Sequence, residues 1–133
     1  MKVPHILVVA AYCAFLFWLS SGPVSTPKAI QFDGVDKVAH ICVYAVLAGL
    51  VFFGLRQSGR PWTSRALFWI PVLFASIYGA SDEFHQYFVP TRSCDIFDWL
   101  ADTTGALLAT TALSLFFRFF LKPVQETLPS PGE

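Results

Sequence analysis

An all-α integral membrane bundle of four transmembrane helices is the fold class this sequence predicts, and three observations predict it. Of 133 residues, 55% are hydrophobic and only 14% are charged, whereas soluble domains carry roughly 25% charged residues. Mean hydropathy is +0.56. The apolar residues also fall into four runs, each near the roughly 20 residues an α-helix needs to cross about 30 Å of hydrocarbon at 1.5 Å per residue.

The first span is expected over residues 5–21, around the apolar run Ile6 to Leu19. Lys2 before that run and small residues after it also fit a secretory signal, but no A-x-A-like cleavage site follows Leu19, so a retained anchor is expected. The stretch "GPVSTPKAIQFDG", Gly22 to Gly34, holds two prolines and two glycines and reads as a loop outside the bilayer. The second span is expected over 38–55. It is followed by "RQSGRPWTSR", with three arginines and no acid. The third span is expected over 66–88, the chain turns in "VPTRSCD" at Pro90, and the fourth covers 99–121. Residues 1–122 thus form one transmembrane domain, and 123–133, with three prolines, a disordered cytoplasmic tail. No internal repeat is visible, which argues against a transporter built from inverted halves.

Basic residues orient the bundle. Lys2, Arg56, Arg60, Arg65, Arg118 and Lys122 fall on the side of both termini, against Lys28, Lys37 and Arg92 on the other. The positive-inside rule therefore predicts cytoplasmic termini. Seven of the nine acids, Asp33, Asp36, Asp82, Glu83, Asp95, Asp98 and Asp102, lie at the opposite ends of the helices. A net charge of zero offers no footprint for nucleic acid, so none is expected as a partner. Oligomeric state is not legible.

Polar residues recur at helical spacing. Lys37, His40 and Tyr44 fall at i, i+3, i+7, and Gly79, Asp82, Glu83 and Gln86 at i, i+3, i+4, i+7. Asp95, Asp98, Asp102 and Gly105 fall at i, i+3, i+7, i+10. Each set shares one helical face. Lipid offers such groups no hydrogen-bond partner, so the faces should turn inward and helices two to four should enclose one polar cleft.

The stretches "DKVAHICVYAVLAGL" and "SDEFHQYFVPTRSCDIFDWLADTTGALLA" resemble the VanZ-like family of small bacterial membrane proteins. Its pattern is DK-x-x-H, then DE-x-x-Q, a proline and an arginine, and spaced aspartates before a helix. Carried over by position, the polar residues of that pattern are Asp36, Lys37, His40, Tyr44, Asp82, Glu83, Gln86, Pro90, Arg92, Asp95, Asp98 and Gly105. Asp102 stands where many relatives have asparagine, so its charge reads as a local variation. The resemblance implies a multi-pass protein of the bacterial cytoplasmic membrane. Its founding member is associated with resistance to the glycopeptide teicoplanin.

Each polar group also has a bland reading. Asp36 would serve as an N-cap and Lys37 would snorkel. His40 would be a hydrogen-bonded packing residue, and Arg92 would clasp Asp95 or Asp98. His5 and His85 lie off the stripes and read as interfacial, and the tryptophans as interface anchors or packing. No H-E-x-x-H, P-loop, G-x-S-x-G or dinucleotide fingerprint is present. Cys13, Cys42 and Cys94 form neither a zinc spacing nor a disulfide framework. Glu83, Asp95 and Asp98 with His40 are an oxygen-rich set suited to a divalent cation, but no motif backs a metal, and no cofactor is expected. The ligand-binding set is therefore Lys37, His40, Tyr44, Asp82, Glu83, Gln86, Arg92, Asp95 and Asp98, with membrane lipids and a lipid-linked envelope precursor or lipopeptide as partners. An intramembrane enzyme acting on an envelope lipid, with Glu83 and His40 as acid and base or with the assistance of a metal, is the first alternative. A structural ion-pair network serving a partner subunit is the second.

Overall fold

A computed structural model describes residues 1–22, 34–90 and 92–120. The centre of the first linker and the tail expected to be disordered lie outside the described residues. The chain forms four helices, α1 (Val3–Ser20), α2 (Val35–Arg56), α3 (Ser64–Gln86) and α4 (Ile96–Phe120), with no strand among the described residues. Each helix begins two or three residues before its expected span, which draws Lys37 and Asp98 into first turns.

The burial pattern is that of a protein solvated by lipid. Leu7, Ile77, Phe84, Leu108 and Phe119 are each more than half exposed, while Asp82, Glu83, Gln86 and Asp102 are buried. α1, α2 and α4 are long and apolar enough to cross a membrane. α3 is not among these three; it opens on Ser64 and Arg65 and its last turns hold Asp82, Glu83, His85 and Gln86.

Local chemistry sets the helix ends. Pro4 lies in the first turn of α1, where its missing N–H costs nothing. The Ser20 and Ser21 hydroxyls donate to the Phe17 carbonyl at the other end. Gly34 caps α2 at φ 86°, a left-handed conformation that glycine adopts without penalty. Asp36 thus occupies the first turn and is not the cap expected for it. Thr63 caps α3 by accepting the Ala66 N–H at 3.1 Å. Asp95 caps α4, its Oδ1 accepting the Phe97 N–H at 2.9 Å.

Small residues bring the helices together. α2 and α4 form the most extensive pair, α3 packs on both, and α1 lies at the periphery. A Cβ on Gly105 would collide with the backbone carbonyl of Ile41, so this glycine sets the α2–α4 approach. Tyr44, Leu47, Ala48, Val51 and Leu55 of α2 form the core with Ala75 and Ala106. Trp99 Nε1 donates to the Ser76 carbonyl at 3.0 Å, and Ser76 and Thr103 share a hydrogen bond of 2.9 Å, which ties α3 to α4.

Candidate functional site

The C-terminal ends of α1 and α3 and the N-terminal ends of α2 and α4 meet at one end of the bundle, and the polar stripes meet there with them. Lys37 is the hub. Its ammonium donates to Asp95 Oδ2 at 2.9 Å, to Asp36 Oδ2 at 3.3 Å, and in a short contact to Asp98 Oδ1. Asp95 joins three elements: it caps α4, pairs with Lys37 of α2, and donates its backbone N–H to Glu83 Oε2 of α3 at 2.8 Å. The Lys37 ammonium and the Phe97 N–H hold the Asp95 carboxyl below its ordinary pKa.

One turn deeper, His40 Nδ1 lies 2.8 Å from Asp102 Oδ1, and Nε2 lies 3.9 Å from Asp98 Oδ2. Asp102 has no exposed surface. Room for it comes from Gly79, where a Cβ would sit 2.6 Å from Asp102 Oδ2. Glu83 is buried with one oxygen, Oε1, lacking a partner among the described residues. His40, Glu83 and Asp98 each offer a ligand atom within 4.8 Å of the other two. Asp95, expected in that oxygen-rich set, is instead spent on Lys37 and the α4 cap.

A cavity of about 360 Å³ opens beside this network. Leu16, Leu19 and Val43 form its apolar wall, and His40, Tyr44, Asp82, Gln86 and Arg92 its polar wall. Gln86 Nε2 donates to Asp82 Oδ2 at 3.0 Å, whereas Asp82 Oδ1 and the Tyr44 hydroxyl are buried without a partner among the described residues. Buried polar atoms left unpaired cost free energy, and both of these belong to residues that line the cavity.

Two expectations are corrected. Arg92 does not clasp Asp95 or Asp98, because Lys37 already holds both. Its Nε donates to the Gly22 carbonyl and an Nη to the Leu19 carbonyl, each at 2.9 Å, so it caps the C-terminal end of α1, where free carbonyls attract a cation. The cavity is also not the cleft expected between α2, α3 and α4: its lining comes from α1 (Leu16, Leu19 and Ser20), α2, α3 and Arg92, and α4 supplies none of it. Besides Arg92, α1 is held by Tyr12, whose hydroxyl donates to the Val43 carbonyl at 2.9 Å, and by the Tyr78 hydroxyl, which donates to the Cys13 carbonyl at 2.5 Å. His85, expected at the interface, packs its ring at a tilt against Phe17 and shares a 3.1 Å hydrogen bond with Ser21.

The cluster holds Lys37, His40, Tyr44, Asp82, Glu83, Gln86, Asp95 and Asp98 together, with Arg92 at its α1 edge. Sequence reasoning left Asp102 out of the site. Its place at i+4 from Asp98 puts it on the polar face of α4, and the pairing with His40 is set by the space at Gly79.

A family model described as VanZ/LLP1 matches residues 6–118. No curated protein and no solved structure matches the chain.

Proposed function

This chain belongs to the VanZ/LLP1 family, and we propose that it is a membrane protein whose cavity binds the polar head group of a lipid-linked envelope molecule or lipopeptide. The observation that carries this reading is the two-sided cavity, apolar along Leu16, Leu19 and Val43 and polar along Tyr44, Asp82 and Arg92. An amphipathic ligand fits such a wall. Asp82 Oδ1 and the Tyr44 hydroxyl, both unpaired among the described residues, accept from hydroxyl, amide or ammonium groups. Arg92 spends two of its five N–H donors on α1, which leaves a face for a phosphate or carboxylate. The basic-residue count supports a cavity at the outer leaflet of a bacterial cytoplasmic membrane, in a chain that crosses four times with both termini inside. Holding such a ligand is the route by which the protein would affect glycopeptide susceptibility.

The test is a titration of the detergent-solubilised chain with an anionic phospholipid, a polyprenyl-pyrophosphate glycolipid and a lipopeptide, followed by native mass spectrometry. Saturable one-to-one binding of one class is expected, weakened about tenfold, or 1.4 kcal/mol, in Tyr44→Phe, Asp82→Asn and Arg92→Lys. Absence of saturable binding, or binding untouched by all three variants, would leave the ion-pair network as a scaffold for a partner subunit.

One observation favours the catalytic reading: His40 is oriented by buried Asp102, as a general base is oriented by its carboxylate. On that reading Glu83→Gln abolishes turnover of the bound lipid and leaves its binding intact.

A further inference from the structure

Six carboxylates, those of Asp36, Asp82, Glu83, Asp95, Asp98 and Asp102, gather at one end of the bundle. Lys37 serves Asp36, Asp95 and Asp98, and Arg92 serves backbone carbonyls. Asp82, Glu83 and Asp102 are 7%, 5% and 0% exposed, and no lysine or arginine pairs with them among the described residues. Buried carboxylates without a counter-charge either take up protons or hold a cation.

The arrangement around His40 favours a cation. Its Nδ1 is engaged by Asp102 at 2.8 Å, which aims Nε2 away, toward Asp98 Oδ2 at 3.9 Å. That distance is too long for a hydrogen bond and suits two ligands of one ion. Metal-bound histidines almost always give their second nitrogen to a carboxylate or carbonyl in this way. Glu83, more than nine-tenths buried with Oε1 unpartnered among the described residues, supplies the third ligand, and one ligand atom of each residue lies within 4.8 Å of those of the other two. Zinc–ligand distances of about 2.0–2.2 Å require the three side chains to draw together around the ion.

We propose that His40 Nε2, Glu83 and Asp98 bind a divalent transition-metal ion, with zinc the best match. One imidazole nitrogen selects zinc over magnesium and calcium, and two carboxylates neutralise its charge. His40 also lines the cavity, so the ion would keep an open position toward it. The site stands apart from the head-group reading and is tested without lipid ligand.

The full chain in detergent, stripped with a chelator, is titrated with zinc by calorimetry, and the zinc-loaded protein is measured by K-edge X-ray absorption. One zinc per chain is expected, with a nitrogen–oxygen shell and imidazole scattering. Glu83→Gln and Asp98→Asn should weaken binding at least about tenfold, and Asp102→Asn, acting through His40, about 10–100-fold. Asp36→Asn, which alters an acid 56% exposed and outside the set, should leave affinity unchanged. The absorption measurement uses the unaltered protein and stands even where a variant fails to fold. No saturable zinc binding, a sulfur ligand in the shell, or equal affinity in Glu83→Gln and Asp36→Asn would overturn the site and leave His40 as a hydrogen-bonded partner of Asp102 alone.

Discussion

Asp102, fully buried on α4, lies 2.8 Å from His40 Nδ1 on α2, so this buried polar contact joins the two helices that pack most extensively. Removing one partner of a buried pair leaves the other uncompensated. Asp102→Ala should therefore lower stability in detergent by about 3 kcal/mol, within the range for broken buried pairs. His40→Ala should cost clearly less in that background than alone. Melting curves of the two single variants and the double variant measure the coupling, and additive losses would show that the contact contributes no pairwise energy.

Much of this architecture is legible in the sequence, and the limits are physical. The apolar runs give four helices, and the periodic placement of Lys37, His40, Asp82, Glu83 and Asp98 gives the polar end, because lipid forces such faces inward. The role of Arg92 is not legible, since its partners are the backbone carbonyls of Leu19 and Gly22, which no side chain announces. Nor is the contribution of α1 to the cavity. That helix is apolar all round, and hydropathy alone does not say which side faces protein and which faces lipid. Asp102 was visible as a charge in a stripe, but its partner follows only from the geometry that Gly79 permits.

Glycine positions separate close approach from mere helix content. Gly105→Ala drives a methyl group into the Ile41 carbonyl, and overpacking of this kind costs about 1–3 kcal/mol. Gly49→Ala meets only Leu113 Cδ1 at 3.9 Å, and should be neutral or stabilising by up to about 1 kcal/mol through helix propensity. Thermal denaturation of the two variants side by side decides the matter: equal melting temperatures would mean that α2 and α4 separate freely at this point.

Acid should weaken the Lys37 hub through Asp95. Its folded pKa lies below the ordinary value because of Lys37, so its contribution is fully present above the unfolded pKa and is lost as pH falls through the folded one. Asp95→Asn keeps a side chain able to cap α4 and removes the titrating charge. The melting-temperature gap between chelator-treated wild type and Asp95→Asn should thus be largest at neutral pH and should shrink below about pH 4, where an unperturbed aspartate takes up its proton. A gap independent of pH would assign the loss to the cap alone.

Orientation yields to a direct measurement. With six of nine basic residues on the side of both termini, a reporter fused after residue 133 should report cytoplasm, and one inserted near Thr91 should report the exterior. The reverse pattern would place the cavity on the cytoplasmic face.

Lys37 and Arg92 hold different partners beside the same acidic cluster, and double-mutant cycles with Asp98 separate their roles. Lys37 contacts Asp98 directly, so Lys37→Ala and Asp98→Ala should be non-additive, with a coupling of about 1 kcal/mol for a partly exposed pair. Arg92 contacts α1 carbonyls instead, so Arg92→Ala and Asp98→Ala should add. Arg92→Ala should also loosen α1 alone, read as faster amide exchange in the last turn of α1 with α2 and α4 unchanged. Strong Arg92–Asp98 coupling, or exchange that rises equally in all four helices, would return Arg92 to the acidic cluster. In that case the arginine would be a clasp of the bundle, and the anion-binding face proposed for it would be lost.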